Sequence, residues 1–146
     1  MAILNFGFTK ILVEKKGKIS KQINIKSGMN IVNVAESKMI DATKQKAFLI
    51  KFAFETKYEP DMGIINLEGE LLYLATVEVA KTISDAWNKN KSLPKDIALN
   101  VFNKILHNCN VEALLLSREI NLPSPIQLPK IKPAPAKASK PAEKTN

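Results

Sequence analysis

The stretch "AFLIKFAFETKYE", residues 47–59, decides the fold. Read as an extended chain, it places Phe48, Ile50, Phe52 and Phe54 on one side and Leu49, Lys51, Ala53 and Glu55 on the other. A period of two is what a half-covered strand requires, whereas a helix would scatter the phenylalanines around its circumference. After the turn "EPDMG" (59–63), the segment "IINLEGELLYLA" (64–75) puts Ile65, Leu67, Gly69, Leu71 and Tyr73 on one face, with Asn66, Glu68 and Glu70 opposite. The two segments predict an antiparallel hairpin with a five-residue connection, apolar on one face and more polar on the other.

Upstream, "NFGFTKILVEKKG" (5–17) alternates loosely and ends in a Lys-Lys-Gly turn signal. "KQINIKSGMNIVNVAES" (21–37) sets Ile23 and Ile25 on one face, is expected to break at Ser27-Gly28, and resumes with Met29, Ile31, Val32 and Val34. Downstream the period changes. Val79, Ile83 and Trp87 recur every four residues within "TVEVAKTISDAWNKN" (76–90), where Thr76 or Ser84 can cap a helix. Pro94 sits near the start of a longer helix, "DIALNVFNKILHNCNVEALLLSREI" (96–120). Its expected apolar stripe comprises Ala98, Val101, Phe102, Ile105, Leu106, Cys109, Ala113 and Leu116. The prediction is an α+β domain in which a four-stranded antiparallel sheet is followed by two helices, the second long, packed on one face of the sheet.

A chain of 146 residues supports one such core. Hydrophobic content of 45% and charged content of 25% are those of a globular protein, and no apolar run reaches the length of a membrane span. "MAILNFGFTK" does not read as a signal peptide, and the single Cys109 does not support a disulfide framework, so a cytoplasmic location is expected.

Of the formal net charge of +8, half lies beyond residue 129, where Lys130, Lys132, Lys137, Lys140 and Lys144 face only Glu143. With Arg118 the only arginine, a base-reading nucleic-acid surface is not expected. The lysine-, proline- and alanine-rich segment 130–146 reads as a disordered electrostatic tail, and 1–129 as the folded domain. Ile120, Leu122, Ile126 and Leu128 are too apolar for a linker, so "INLPSPIQLP" (120–129) is assigned to the fold as an extended strip packed on sheet or helix.

Motifs for catalysis are sparse. His107 and Cys109, two apart, do not share a helix face and make a poor metal clip; the expectation is a surface histidine and a core cysteine. Glu68 and Glu70 share a strand face, as an acid–base pair would, but a solvated strand face explains them as well. No phosphate-cradling glycine loop and no nucleophile elbow occurs. Neither catalytic residues, a metal nor a cofactor is expected. Phe48, Phe52, Phe54 and Tyr58 could stack on bases, but a phenylalanine row opposite polar residues more often builds a core.

The element order, and the way the last helix runs into Ile120-Asn121-Leu122-Pro123-Ser124-Pro125-Ile126-Gln127-Leu128, resembles the bacterial export chaperone SecB and its SecB-like archaeal relatives. In that family the last helix leads into a segment of the form L-N-L-x-P-hydrophobic-N-F, against which Leu122, Pro125 and Ile126 align. Gln127-Leu128 stands in place of Asn-Phe. The chain departs from the family in being basic, with Glu55, Glu68 and Glu70 as its main acidic strand group, which puts docking of the SecA motor in doubt. The resemblance implies an ATP-independent holding chaperone for unfolded or nascent polypeptide, linked to export and assembled as a homo-oligomer, a dimer or tetramer. Phe52, Phe54, Tyr58, Leu122, Ile126 and Leu128 are its candidate polypeptide-binding residues. The alternative is a ribosome- or RNA-associated accessory protein that uses the basic tail.

Overall fold

The computed structural model describes residues 2–17, 22–37 and 45–126. Four strands, β1 (Ala2–Lys15), β2 (Asn24–Ser37), β3 (Gln45–Glu59) and β4 (Gly63–Thr76), precede two helices, α1 (Val77–Asn90) and α2 (Lys95–Glu119). The strands form one antiparallel sheet in the order β1-β4-β3-β2. The expected α+β architecture is present, with the hairpin β3–β4 at its centre.

The central hairpin pairs without interruption from Gln45↔Thr76 to Tyr58↔Gly63. This register stacks Phe48 beside Tyr73, Ile50 beside Leu71, Phe52 beside Gly69 and Phe54 beside Leu67, all buried. The connection is tighter than the sequence suggested. Only residues 60–62 separate the strands, closed by the Met62 amide donating to the Tyr58 carbonyl at 2.9 Å.

The edge strands reach the same core by a less regular route. β1 shifts register between Leu4 and Gly7 and again between Phe8 and Lys10, while β2 shifts between Ile31 and Asn33. Each bulge adds one residue and so exchanges the faces of everything that follows it. That exchange lets Ile3, Phe6, Phe8 and Val13 all pack against the core, although their numbers do not alternate. In β2 it lets Ile31 and Val34 do the same, leaving Val32 exposed. The expected break at Ser27-Gly28 does not occur. Gly28 stays in the ladder opposite Glu55, and the Ser27 hydroxyl lies 2.9 Å from that of buried Thr56, so the polar pair is satisfied across the strands.

One aromatic cluster ties an edge to the centre. Phe6 stacks on Phe52 at a centroid distance of 5.2 Å and meets Phe8 edge-on at 5.3 Å. Gly69 makes the room: a β-carbon there would fall 2.3 Å from the Gly7 carbonyl oxygen and 2.6 Å from the Phe52 ring.

Both helices contribute to this single core. Thr76 caps α1, its hydroxyl accepting the Val79 amide, and Ala80, Ile83 and Trp87 are buried. Pro94 is the N-cap residue of α2. Here the stripe differs from expectation. The buried residues are Ile97, Val101, Ile105, Cys109, Ala113 and Ser117, whereas Phe102 and Leu106 are exposed. At roughly 100° per residue, a row spaced by four turns about 40° per step, so the buried line winds around the helix and passes these two side chains by.

Candidate functional site

Two features of the helical layer can engage another chain. The first is the uncovered apolar surface of α2. Leu99, Phe102 and Leu106, spaced by three and four, share one helix face; Val111 and Leu115 share a second. Leu99 keeps 62% of its surface in solvent and Leu115 keeps 51%. The sequence reading missed Leu99, Val111 and Leu115. For Leu115 the signal was present in "EALLLSRE" (112–119), where Leu114, Leu115 and Leu116 point in three directions and cannot all face one core.

The second is the end of the chain beyond α2. Asn121 adopts the left-handed region at φ 59°, a conformation that asparagine tolerates better than most residues, and it turns the backbone off the helix axis. The Leu122 amide returns a hydrogen bond to the Ser117 carbonyl at 2.8 Å, satisfying one of the helix's terminal acceptors. Leu122 is buried at the turn-side end of the sheet, its methyl carbons 3.1 and 3.2 Å from where a β-carbon on Gly63 would stand. That position would also lie 2.8 Å from the Glu14 carbonyl, so Gly63 is a close-approach glycine and its missing side chain forms the seat for Leu122. The buried Tyr58 hydroxyl donates to the Pro123 carbonyl at 2.7 Å. Ser124 closes a local turn with the Ile126 backbone. Pro123 and Pro125 have no amide hydrogen to give, so the strip is held by one anchor and one carbonyl contact rather than as a fifth strand.

The expected polypeptide-binding residues therefore separate. Leu122 fills this seat and Tyr58 bonds the carbonyl of the next residue, while Ile126 is partly buried. Phe52 and Phe54 are buried in the sheet core, with Phe6 laid on Phe52, so neither presents a surface to a second chain in this conformation. Leu128 and the tail lysines Lys130, Lys132, Lys137, Lys140 and Lys144 lie outside the described residues. Nothing among family models, curated proteins or solved structures matches this chain.

The electrostatics are those of a solvated surface. Lys16 reaches Asp61 at 3.6 Å, Lys26 reaches Glu59 at 3.2 Å, and Lys10 reaches Glu68 at 3.7 Å. All of these groups are partly exposed, and such pairs contribute little to stability. Glu68 thus has a lysine partner on the open face of the sheet. His107 is exposed and Cys109 buried, as expected. Burial pushes the Cys109 thiol up to about 12, with the Glu112 carboxylate adding to the shift, which leaves it a poor nucleophile. Burial likewise raises Tyr58 to about 12, keeping its phenol protonated as a donor to Pro123. Among the described residues no group of three or more His, Cys, Asp or Glu is placed to hold a metal ion, and no helix is long and apolar enough to cross a membrane.

Proposed function

We propose that this protein is, as the SecB-like resemblance implies, an ATP-independent holding chaperone that binds unfolded or nascent polypeptide as a homo-oligomer, and that it acts in the cytoplasm. The observation that carries the reading is the exposed apolar surface of α2, with Leu99, Phe102 and Leu106 on one face and Val111 and Leu115 on another. Long helices with two separate greasy faces suit self-association on one and client contact on the other. Holding requires only apolar area and backbone tolerance, so it makes little demand on the client's sequence. A link to export belongs to the same proposal.

The test is suppression of light scattering from thermally unfolding client proteins, without nucleotide, at stoichiometric ratio. The wild-type chain is expected to hold most of the client soluble. The double variant Leu99→Asp/Phe102→Asp, whose substitutions lie on exposed positions, is expected to lose most of that effect while melting at nearly the wild-type temperature. Aggregation that proceeds unchanged for several clients in the presence of the wild-type chain refutes the proposal.

A further inference from the structure

The strip after α2 is an extended peptide lying in a prepared receptor, and three of its properties belong to a ligand more than to a core element. It is anchored by a single buried side chain, Leu122, in the space that Gly63 leaves open. The sheet reaches its backbone through the Tyr58 hydroxyl, which donates to the Pro123 carbonyl, a contact that any residue's carbonyl can satisfy. Pro123 through Ile126 keep part of their surface in solvent, whereas Leu122 belongs to the hydrophobic core, so departure of the strip opens a shallow trough with one leucine-sized pocket at Gly63. The joint is equally simple. The chain leaves α2 through Asn121, at φ 59°, so a single left-handed residue joins the strip to the helix.

We propose that the Gly63–Tyr58 seat is a binding site for an extended Leu-Pro segment of another polypeptide, and that residues 122–126 occupy it in cis as a resident competitor. The receptor's chemistry defines the ligand. It takes a γ-branched aliphatic side chain, since the Leu122 methyl carbons reach to 3.1 and 3.2 Å from a β-carbon position at Gly63. The next residue supplies a carbonyl for Tyr58 and needs no amide hydrogen, which makes proline an acceptable neighbour and disfavours segments already paired in a sheet. Folded proteins seldom offer such segments, whereas unfolded chains do. The inference rests on the reading of the protein as a polypeptide holder, and it names one class of segment that is held.

Competition sets the expected numbers. A tethered strip acts at an effective concentration on the order of millimolar, so an incoming peptide binds weakly until the strip is loosened. The experiment titrates a fluorescein-labelled synthetic peptide, Ile-Asn-Leu-Pro-Ser-Pro-Ile, matching residues 120–126, into the full chain and into its Leu122→Ala variant, and reads anisotropy. Saturable binding is expected to be about tenfold or more tighter in the variant, and to disappear when the peptide's leucine is replaced by aspartate. Equal affinity for both proteins, no saturable binding to a cooperatively melting variant, or unchanged binding of the aspartate peptide each overturns the proposal. If Leu122→Ala does not fold, the wild-type chain decides. A peptide carrying benzoylphenylalanine at its last position, photolysed at millimolar concentration, is expected to label the β3–β4 turn and its flanks. Labelling elsewhere, or none, overturns the inference. The aggregation assay reads the α2 surface and this titration reads the seat, so failure of the seat and failure of the holding function give different results.

Discussion

The central hairpin and the two edge strands build the same core under different rules. Along β3 and β4 the ladder is unbroken, and the core-facing residues Ile50, Phe52, Ile65, Leu67 and Leu71 are essentially without solvent contact. Along β1 and β2 the ladder is interrupted, and Ile3, Phe6, Phe8, Ile25, Met29 and Ile31 are only partly covered. The centre obtains its burial from regular alternation. The edges obtain theirs by spending residues in bulges, so that side chains of either parity turn inward. Stability therefore concentrates in the centre, while the edges set how far the helical layer must reach.

The largest test of that contrast lies where the two regions meet. Phe52→Ala removes a ring stacked by Phe6 and packed over Gly69, and is expected to cost about 4 kcal/mol in urea unfolding. Gly69→Ala is expected to cost about 3 kcal/mol, because a methyl group there strikes both the Phe52 ring and the Gly7 carbonyl. In the double variant the ring clash is gone, so the combined loss is expected to fall short of the sum. Strict additivity would show that the bulge in β1, and not the aromatic cluster, is what Gly69 serves.

The next effect comes from pH. Tyr58 and Cys109 titrate near 10 and 9 when unperturbed and near 12 in the fold. Above those lower values the unfolded chain holds fewer protons than the native state, so stability falls as pH rises from about 9 to about 12. Below about 9 both states keep these protons, and the two groups introduce no pH dependence. The Tyr58 share is roughly 2–3 kcal/mol by pH 12, and Tyr58→Phe is expected to flatten the alkaline slope of denaturant midpoints by about that amount. An unchanged slope would mean that the hydroxyl is solvated and the Pro123 contact is absent in solution.

The smallest effect isolates a bulge. Val34→Ala in β2 removes core-facing methyl groups and is expected to cost about 1.5 kcal/mol. Val32→Ala, two residues earlier, is expected to cost less than about 0.5 kcal/mol, because Val32 is the residue that the bulge expels. Equal costs would place both valines on the core and remove the bulge.

The same contrast explains what could be read from sequence. The hairpin was legible because Phe48 to Phe54 alternate without error against a partner that alternates too. The loose pattern of residues 5–17 was legible only as a strand, since a one-residue insertion leaves no mark in composition while reversing every face after it. The continuity of β2 through Ser27-Gly28 depends on Thr56, twenty-nine positions away, which no local window contains. On α2, period and content agreed on an amphipathic helix, but which apolar residues are covered depends on the winding row from Ile97 to Ser117. Of the candidate site, Leu122 stood out as an apolar residue among prolines. In the sequence Gly63 reads as a turn glycine; its closeness to Leu122 is a fact of three dimensions alone.

The bulges also bear on aggregation. Both edges of this sheet carry solvent-exposed aliphatic side chains, among them Ile11, Leu12 and Val32, on strands whose outer hydrogen-bonding groups have no neighbour within the sheet. A straight edge of that composition would template the addition of further strands and begin a fibril. Register shifts at Leu4/Gly7, Phe8/Lys10 and Ile31/Asn33 bend and twist the rails, so neither edge offers its whole length as one straight template.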